Sequence, residues 1–240
     1  MKARLPKVYL DEPRTAVLIN TAGGLTGGDR VSVDATWGDG VAACLTTQAA
    51  ERVYRSTGGD AVVTNRLVAG EDARAEWLPQ ETILFDEGRF HRRTSVHLAA
   101  GARFLAVESM VLGRKAMGET VMGGLIDDEW QLRRDGRLVW RDSLRLDDTH
   151  FGPPPRPAVL GANRAYATIV CQTADPDACA GLIREHAGAH GGASAMRGLV
   201  LARLAAEDGD SLRRIMTGLI PALRHIVFGR SARLPRPFQI

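Results

Sequence analysis

From residue 14 to about residue 173 the chain alternates apolar and polar positions in short runs, the two-residue period of half-buried β-strands. Val31, Val33, Ala35 and Trp37 alternate with polar neighbours. Ala16–Ile19, Val41–Thr47, Ala61–Val68, Ala73–Leu78, Thr94–Leu98, Arg103–Val111, Glu129–Arg133, Arg137–Leu146 and Tyr166–Gln172 read as further strands. Turns containing glycine punctuate them, as at Gly38-Asp39-Gly40 and Ala69-Gly70-Glu71. Gly40, Gly70 and Gly101 each close one strand and precede another, 30 and 31 residues apart. After each comes an alternating strand and then a carboxylate, Glu51, Glu81 or Glu108. Such spacing fits stacked β-layers of solenoid character; an antiparallel meander with equal loops fits it too.

The pattern changes after Phe151-Gly152-Pro153-Pro154-Pro155-Arg156-Pro157, where successive prolines enforce an extended break. Asp175-Pro176 is a helix start, with Asp as N-cap and Pro in the first turn, and predicts a helix over Pro176–Ala187. Gly198–Ala205 reads as a returning strand. Asp210 or Ser211 caps a second helix, on which Leu212, Ile215, Leu219, Leu223 and Ile226 form an apolar stripe. Pro221 should kink it, and the tail from Leu234 to Phe238 should run extended. The expected fold is mainly β: stacked sheets of β-helical, solenoid-like character with two α-helices toward the C-terminus. It would be one domain over residues 1–240, β-rich over 14–173 and α/β over 174–240.

Composition narrows the function. Hydrophobic residues are 45% and charged residues 25%, ordinary for a globular protein. No apolar run reaches the ~18 residues of a membrane span, and no apolar segment follows the basic residues of the N-terminus. The expectation is a cytoplasmic protein with no membrane partner. Net charge is only +3, the arginines are scattered and aromatics are 5%, so nucleic acid is not an expected partner. Cys44, Cys171 and Cys179 form no C-x-x-C pair, which argues for packed thiols over a disulfide framework or structural zinc.

The densest glycine cluster is Gly23-Gly24-Leu25-Thr26-Gly27-Gly28-Asp29. A phosphate-binding loop would need a following helix and a Lys-Ser/Thr pair; here Asp29, Arg30 and a strand follow, which leaves a tight structural loop. His186 and His190 are four apart and would share a helix face, but the glycines around them end the helix. No Ser-His-Asp or Cys-His constellation and no G-x-S-x-G elbow occurs. No catalytic residue and no tightly bound cofactor are expected. Inward carboxylates of a β-solenoid could still serve a carbohydrate-active hydrolase, which stands as an alternative.

The segment Ala16–Arg30, with its Asn20-Thr21-Ala22-Gly23-Gly24-Leu25-Thr26-Gly27-Gly28-Asp29 core, resembles the signature of the UreD (UreD/UreH) family of urease accessory proteins. Thr46–Ser56, Glu76–Phe85, Leu112–Glu119, Gly192-Ala193-Ser194 and Leu234-Pro235-Arg236 follow in the family's order, so the resemblance spans nearly the whole chain. Two departures stand out. Relatives carry further strands ahead of the segment matching Ala3–Pro6, which would leave an edge of the first sheet unpaired. The tail also has Pro237-Phe238 where an aromatic usually follows Pro-Arg directly.

The resemblance implies a non-catalytic chaperone for nickel insertion. It would bridge apo-urease to UreF, and through UreF to the nickel-carrying GTPase UreG. It also implies an internal wet passage for transient Ni²⁺, whose lining carboxylates fall on Asp29, Glu108 and Asp142, with Glu51 as a further polar position. Carboxylates suit transit because they hold Ni²⁺ less tightly than imidazole or thiolate. Two other readings stay open. The same carboxylates could be ion pairs with arginines such as Arg52, Arg114 or Arg141, and the protein could be an assembly adaptor without ion conduction.

Overall fold

The computed structural model describes residues 1–7, 12–152, 157, 159–230 and 233–239. The strands are β1 (Lys2–Arg4), β2 (Arg14–Ile19), β3 (Arg30–Trp37), β4 (Ala42–Thr47), β5 (Glu51–Val53), β6 (Ala61–Ala69), β7 (Arg74–Leu78), β8 (Thr82–Leu84), β9 (Arg89–Leu98), β10 (Arg103–Leu112), β11 (Leu125–Arg134), β12 (Arg137–Asp147), β13 (Ala165–Gln172), β14 (Gly191–Met196) and β15 (Leu199–Ala206). The helices are α1 (Pro176–Ala187) and α2 (Gly209–Phe228).

These strands build two sheets. The larger runs β1-β2-β4-β7-β10-β13-β15-β14, with β5 and β8 joined beside β10; the smaller runs β12-β11-β9-β6-β3. Between β3 and β11 the chain steps from one sheet to the other and back, and it pairs in parallel with the previous coil each time. β3 lies on β6, β6 on β9 and β9 on β11; β2 lies on β4, β4 on β7 and β7 on β10. This is the stacked reading of the 30-residue glycine period, and the meander is excluded. Gly40, Gly70 and Gly101 sit at equivalent corners. Gly40 N–H donates to Glu71 O at 2.8 Å, and Arg74 N and Arg103 N donate one coil back, to Val41 O and Ala73 O. The coil ends with antiparallel strands: β12 on β11, β13 on β10, β15 on β13 and β14 on β15.

Both helices cover the outer face of the larger sheet. Cys179, Ala180, Ile183 and Ala187 of α1 and Leu212, Leu219, Leu223 and Val227 of α2 are buried against Leu105, Val107, Ala167 and Val200. Cys44, Cys171 and Cys179 are buried free thiols. Asp175 caps α1 through Ala178 N at 3.0 Å, as its sequence predicts. α1 ends at Ala187, so His186 and His190 do not share a helical face.

Several expectations need correction. The cap of α2 is Asp208, not Asp210 or Ser211: its carboxylate accepts from Ser211 N at 2.7 Å. The tail does not run extended but turns in a short 3₁₀ segment, Arg236–Gln239, with Phe238 on the helix core. β1, β5, β8 and β14 were too short or too glycine-rich to carry a periodic signal. Pro153 to Arg156 of the Pro-rich break lie outside the described residues.

One buried ion pair ties α2 to the larger sheet. Glu76 on β7 faces the helices with no exposed surface; Arg224 Nε reaches it at 2.7 Å, and Arg230 binds its other oxygen.

Candidate functional site

The space between the two sheets is apolar at both ends and polar in the middle. One end packs Trp37, Leu67, Trp77, Phe104, Trp130 and Leu132. The other packs Leu84, Phe90, Met110, Ile126, Leu146 and Tyr166. The break is written in the alternation of single strands. The inward stripe of β9 reads Phe90, Arg92, Thr94, Val96, Leu98; that of β11 reads Ile126, Asp128, Trp130, Leu132; that of β10 reads Phe104, Ala106, Glu108, Met110. All these side chains are buried.

Register aligns the polar positions into rows. Asn65, Thr94, Trp130 and Asp142 are partners across the smaller sheet. Glu108, Thr168 and Arg203 are partners across the larger one. The rows meet at Glu108, which is 1% exposed. Its Oε1 accepts from Trp77 Nε1 at 2.7 Å, Thr94 Oγ1 at 3.3 Å and Asn65 Nδ2 at 3.4 Å. Its Oε2 lies 3.1 Å from Arg92 Nε but receives no aligned hydrogen bond. Arg92 spends its donors on Asp128, at 3.0 and 2.6 Å. One buried guanidinium thus serves two buried carboxylates. Burial pushes the pKa of Glu108 up; Arg92 opposes that and Asp128 adds to it. For Arg92 burial disfavours the charge, yet Asp128 and Glu108 outweigh it and raise its pKa. Tyr166 Oη and Trp130 Nε1 are buried without a partner.

Glu51 and Glu108 line one cavity of about 60 Å³, together with Thr47, Asn65, Thr82 and Arg92. Val31, Val33, Val63 and Phe90 also line it, so the polar groups of Glu51, Asn65, Arg92 and Glu108 converge on a mainly apolar space. Glu51 also lines an outer cavity of about 150 Å³ with Asn20, Gly23, Gln48 and Arg52. It therefore stands between the two, half-buried and held by Asn20 Nδ2, 3.0 Å from each carboxylate oxygen. Burial raises its pKa, and the Asn20 hydrogen bond pulls it back.

Asp29 is exposed and closes its own turn, accepting from Thr26 N at 2.8 Å; it lines neither cavity, but its charge acts on Glu51. The glycine loop ahead of it is a packing device. Leu25 stacks on Val53 as an added rung, and a Cβ at Gly24 would stand 2.3 Å from the Tyr54 ring. At the opposite side Asp142, half-buried on edge strand β12, binds the Arg203 guanidinium. Glu51 and Glu108 thus share a cavity, Asp142 lies at the edge of the same inter-sheet seam two strands beyond Glu108, past the buried Thr168 and Trp130, and neither Asp142 nor Asp29 lines that cavity.

The arginines on Glu108 and Asp142 are Arg92 and Arg203, whereas Arg114 pairs with Glu119 and Arg141 with Glu129. Arg92, Asp128, Tyr166 and Arg203 escaped the sequence reading. Their signal was a polar residue, alone or paired with another two positions away, on a strand face that is otherwise apolar. Among the described residues no group of three or more His, Cys, Asp or Glu is arranged to hold a metal ion. A separate cavity of about 500 Å³ is lined mostly by apolar groups such as Val121, Met122 and Leu160 and holds none of the four carboxylates.

Residues 2–239 match the family model described as UreD urease accessory protein. The chain is 48% identical over 225 residues to the urease accessory protein UreD of Rhizobium leguminosarum bv. trifolii, covering 93% of this chain and 82% of that protein. It is 43% identical to that of Agrobacterium fabrum over 93% and 78%. It is 44% identical to that of Xanthobacter autotrophicus over 98% and 80%.

Proposed function

The chain belongs to the UreD family of urease accessory proteins, and from that premise we propose that it passes Ni²⁺ along the inter-sheet seam while bridging apo-urease to UreF and UreG. The observation that carries this is the cavity shared by Glu51 and Glu108. Asp29 and Glu51 gather cations at the mouth, Glu108 receives them inside, and Asp142 hands them on. Ni²⁺ is cargo here. Isolated carboxylates, spaced and partly neutralised by Arg92 and Arg203, bind it weakly enough to release it, whereas a closed set of imidazole and thiolate ligands would retain it. The helices α1 and α2 stiffen the larger sheet from outside and stay clear of the seam. No described helix is long and apolar enough to cross a membrane, which fits work among soluble partners in the cytoplasm.

A second reading has its own support. The lack of a preformed multi-ligand group among the described residues, and the arginine on each inner carboxylate, suit an assembly adaptor through which no ion moves. Co-purification of the full chain with UreF and apo-urease, combined with Asp142→Asn, separates the two. A conduit gives intact complexes and slow, incomplete urease activation by the variant. Intact complexes with wild-type activation would leave the adaptor.

A further inference from the structure

The seam contains two arginines of opposite character. Arg92 is 5% exposed at its side chain and fastened to Asp128 by two hydrogen bonds. Freeing it would strand buried charges, so it is fixed. Arg203 has a side chain 42% exposed, and among the described residues its ion pair is with the 30%-exposed Asp142. Exposed pairs of this kind open readily, because water replaces what the partner provides.

The strands beside Arg203 differ in the same sense. Its register partner on β13 is the buried Thr168, which leads toward Glu108 two strand spacings away, about 10 Å. Its partner on β14 is Gly192. Paired residues on neighbouring strands point to the same face, so a side chain at 192 would stand beside Arg203. A Cβ built at Gly192 meets nothing within 4 Å. The glycine therefore leaves open room on the outer side of Arg203, while Thr168 closes the inner side.

We propose that Arg203 is a movable stopper at the Asp142 end of the seam, closing it when paired with Asp142 and opening it by swinging over Gly192. This rests on the reading of the seam as a nickel passage. It adds that exit is gated by one surface ion pair and that Gly192 is a positioning residue for the gate. With its charge on Asp142, Arg203 both blocks the way and occupies the last carboxylate. Once swung out, it leaves Asp142 free for the cation.

The test is stopped-flow tryptophan fluorescence on the full chain. Protein equilibrated with NiCl₂ is mixed with excess chelator, and the loss of nickel quenching is timed. Trp77, bonded to Glu108, and Trp130, in register with Asp142, are the reporters. Arg203→Gln should speed release roughly fivefold, the factor such an exposed pair can contribute. Arg203→Lys should stay near wild type. Gly192→Val, in extended backbone that accepts a branched side chain, should slow release by filling the swing space. Wild-type release rates in both Arg203→Gln and Gly192→Val would overturn the stopper. The passage itself is tested by Glu108→Gln in the same assay. Unchanged quenching and release there would sink the passage, and altered release there with unresponsive gate variants would sink only the stopper.

Discussion

Replacing Glu108 by Gln and by Ala should give the same pH trend relative to wild type at two different levels of stability, and the structure sets the size of each. Gln keeps an oxygen for Trp77 Nε1, now bonded at 2.7 Å, and Arg92 keeps both bonds to Asp128. What Gln removes is a buried charge whose Oε2 has no aligned donor. Burial raises the pKa of Glu108 in the fold. A carboxyl raised in this way adds stability below its unfolded pKa of about 4.3 and loses it as pH rises through the folded value. Glu108→Gln cannot lose a proton, so its stability relative to wild type should improve with rising pH. We expect a deficit of about 1 kcal/mol near pH 4, one hydrogen bond's worth, and parity or a gain of about 1 kcal/mol near pH 8, because Arg92 keeps Asp128 and no buried charge is left uncompensated. Glu108→Ala leaves Trp77 Nε1 unpaired and a cavity behind it, and should lie about 2–4 kcal/mol below Gln at every pH. Urea unfolding of the three proteins across that range measures both differences, and other carboxylates cancel in the comparison. A Gln deficit that grows with pH would show that the ionised carboxylate stabilises the fold, and the reasoning about its burial would be wrong.

Glu76→Ala should be severe, about 3–5 kcal/mol, because it strands the buried Arg224 without its carboxylate; thermal unfolding should shift down by roughly 2–4 °C for each kcal/mol. A loss below about 1 kcal/mol would mean the pair does not anchor α2. Asp208→Ala should cost about 1 kcal/mol as a lost cap. Lys115 first, and then the Ser211 N–H, hold the pKa of Asp208 well below the usual range. Its contribution is therefore present above about pH 4 and fades as pH falls, so wild type and variant should converge in acid when chemical unfolding is followed.

Much of the fold was legible because its signals are local. The glycines at 40, 70 and 101 mark corners of successive coils, and the alternation of Val31 to Trp37 sets one face of an edge strand. The capping chemistry of Asp175 starts α1 where it was expected. Asp208 was missed because three acidic residues, Glu207, Asp208 and Asp210, crowd the start of α2, and only geometry shows which carboxylate reaches Ser211 N. β14 was missed because Gly191-Gly192-Ala193 carries no strand propensity; it exists through pairing with β15. The carboxylates of the site came from family resemblance, and register explains what no spacing could. Glu108 and Asp142 are 34 positions apart in sequence, yet register puts them in adjoining rows, Glu108 against Thr94 and Asp142 against Arg203, with Thr168 and Trp130 between. Sequence could not show that Arg92 must serve both Glu108 and Asp128, because that depends on which strands lie opposite.

The central claim is that nickel travels through the seam. The most direct measurement is the nickel content of urease matured by the double variant Glu51→Gln/Glu108→Gln, with UreF and UreG supplied. Complexes should assemble as with wild type, and urease should carry severalfold less nickel per active site. Assembled complexes with urease at wild-type nickel content would contradict it.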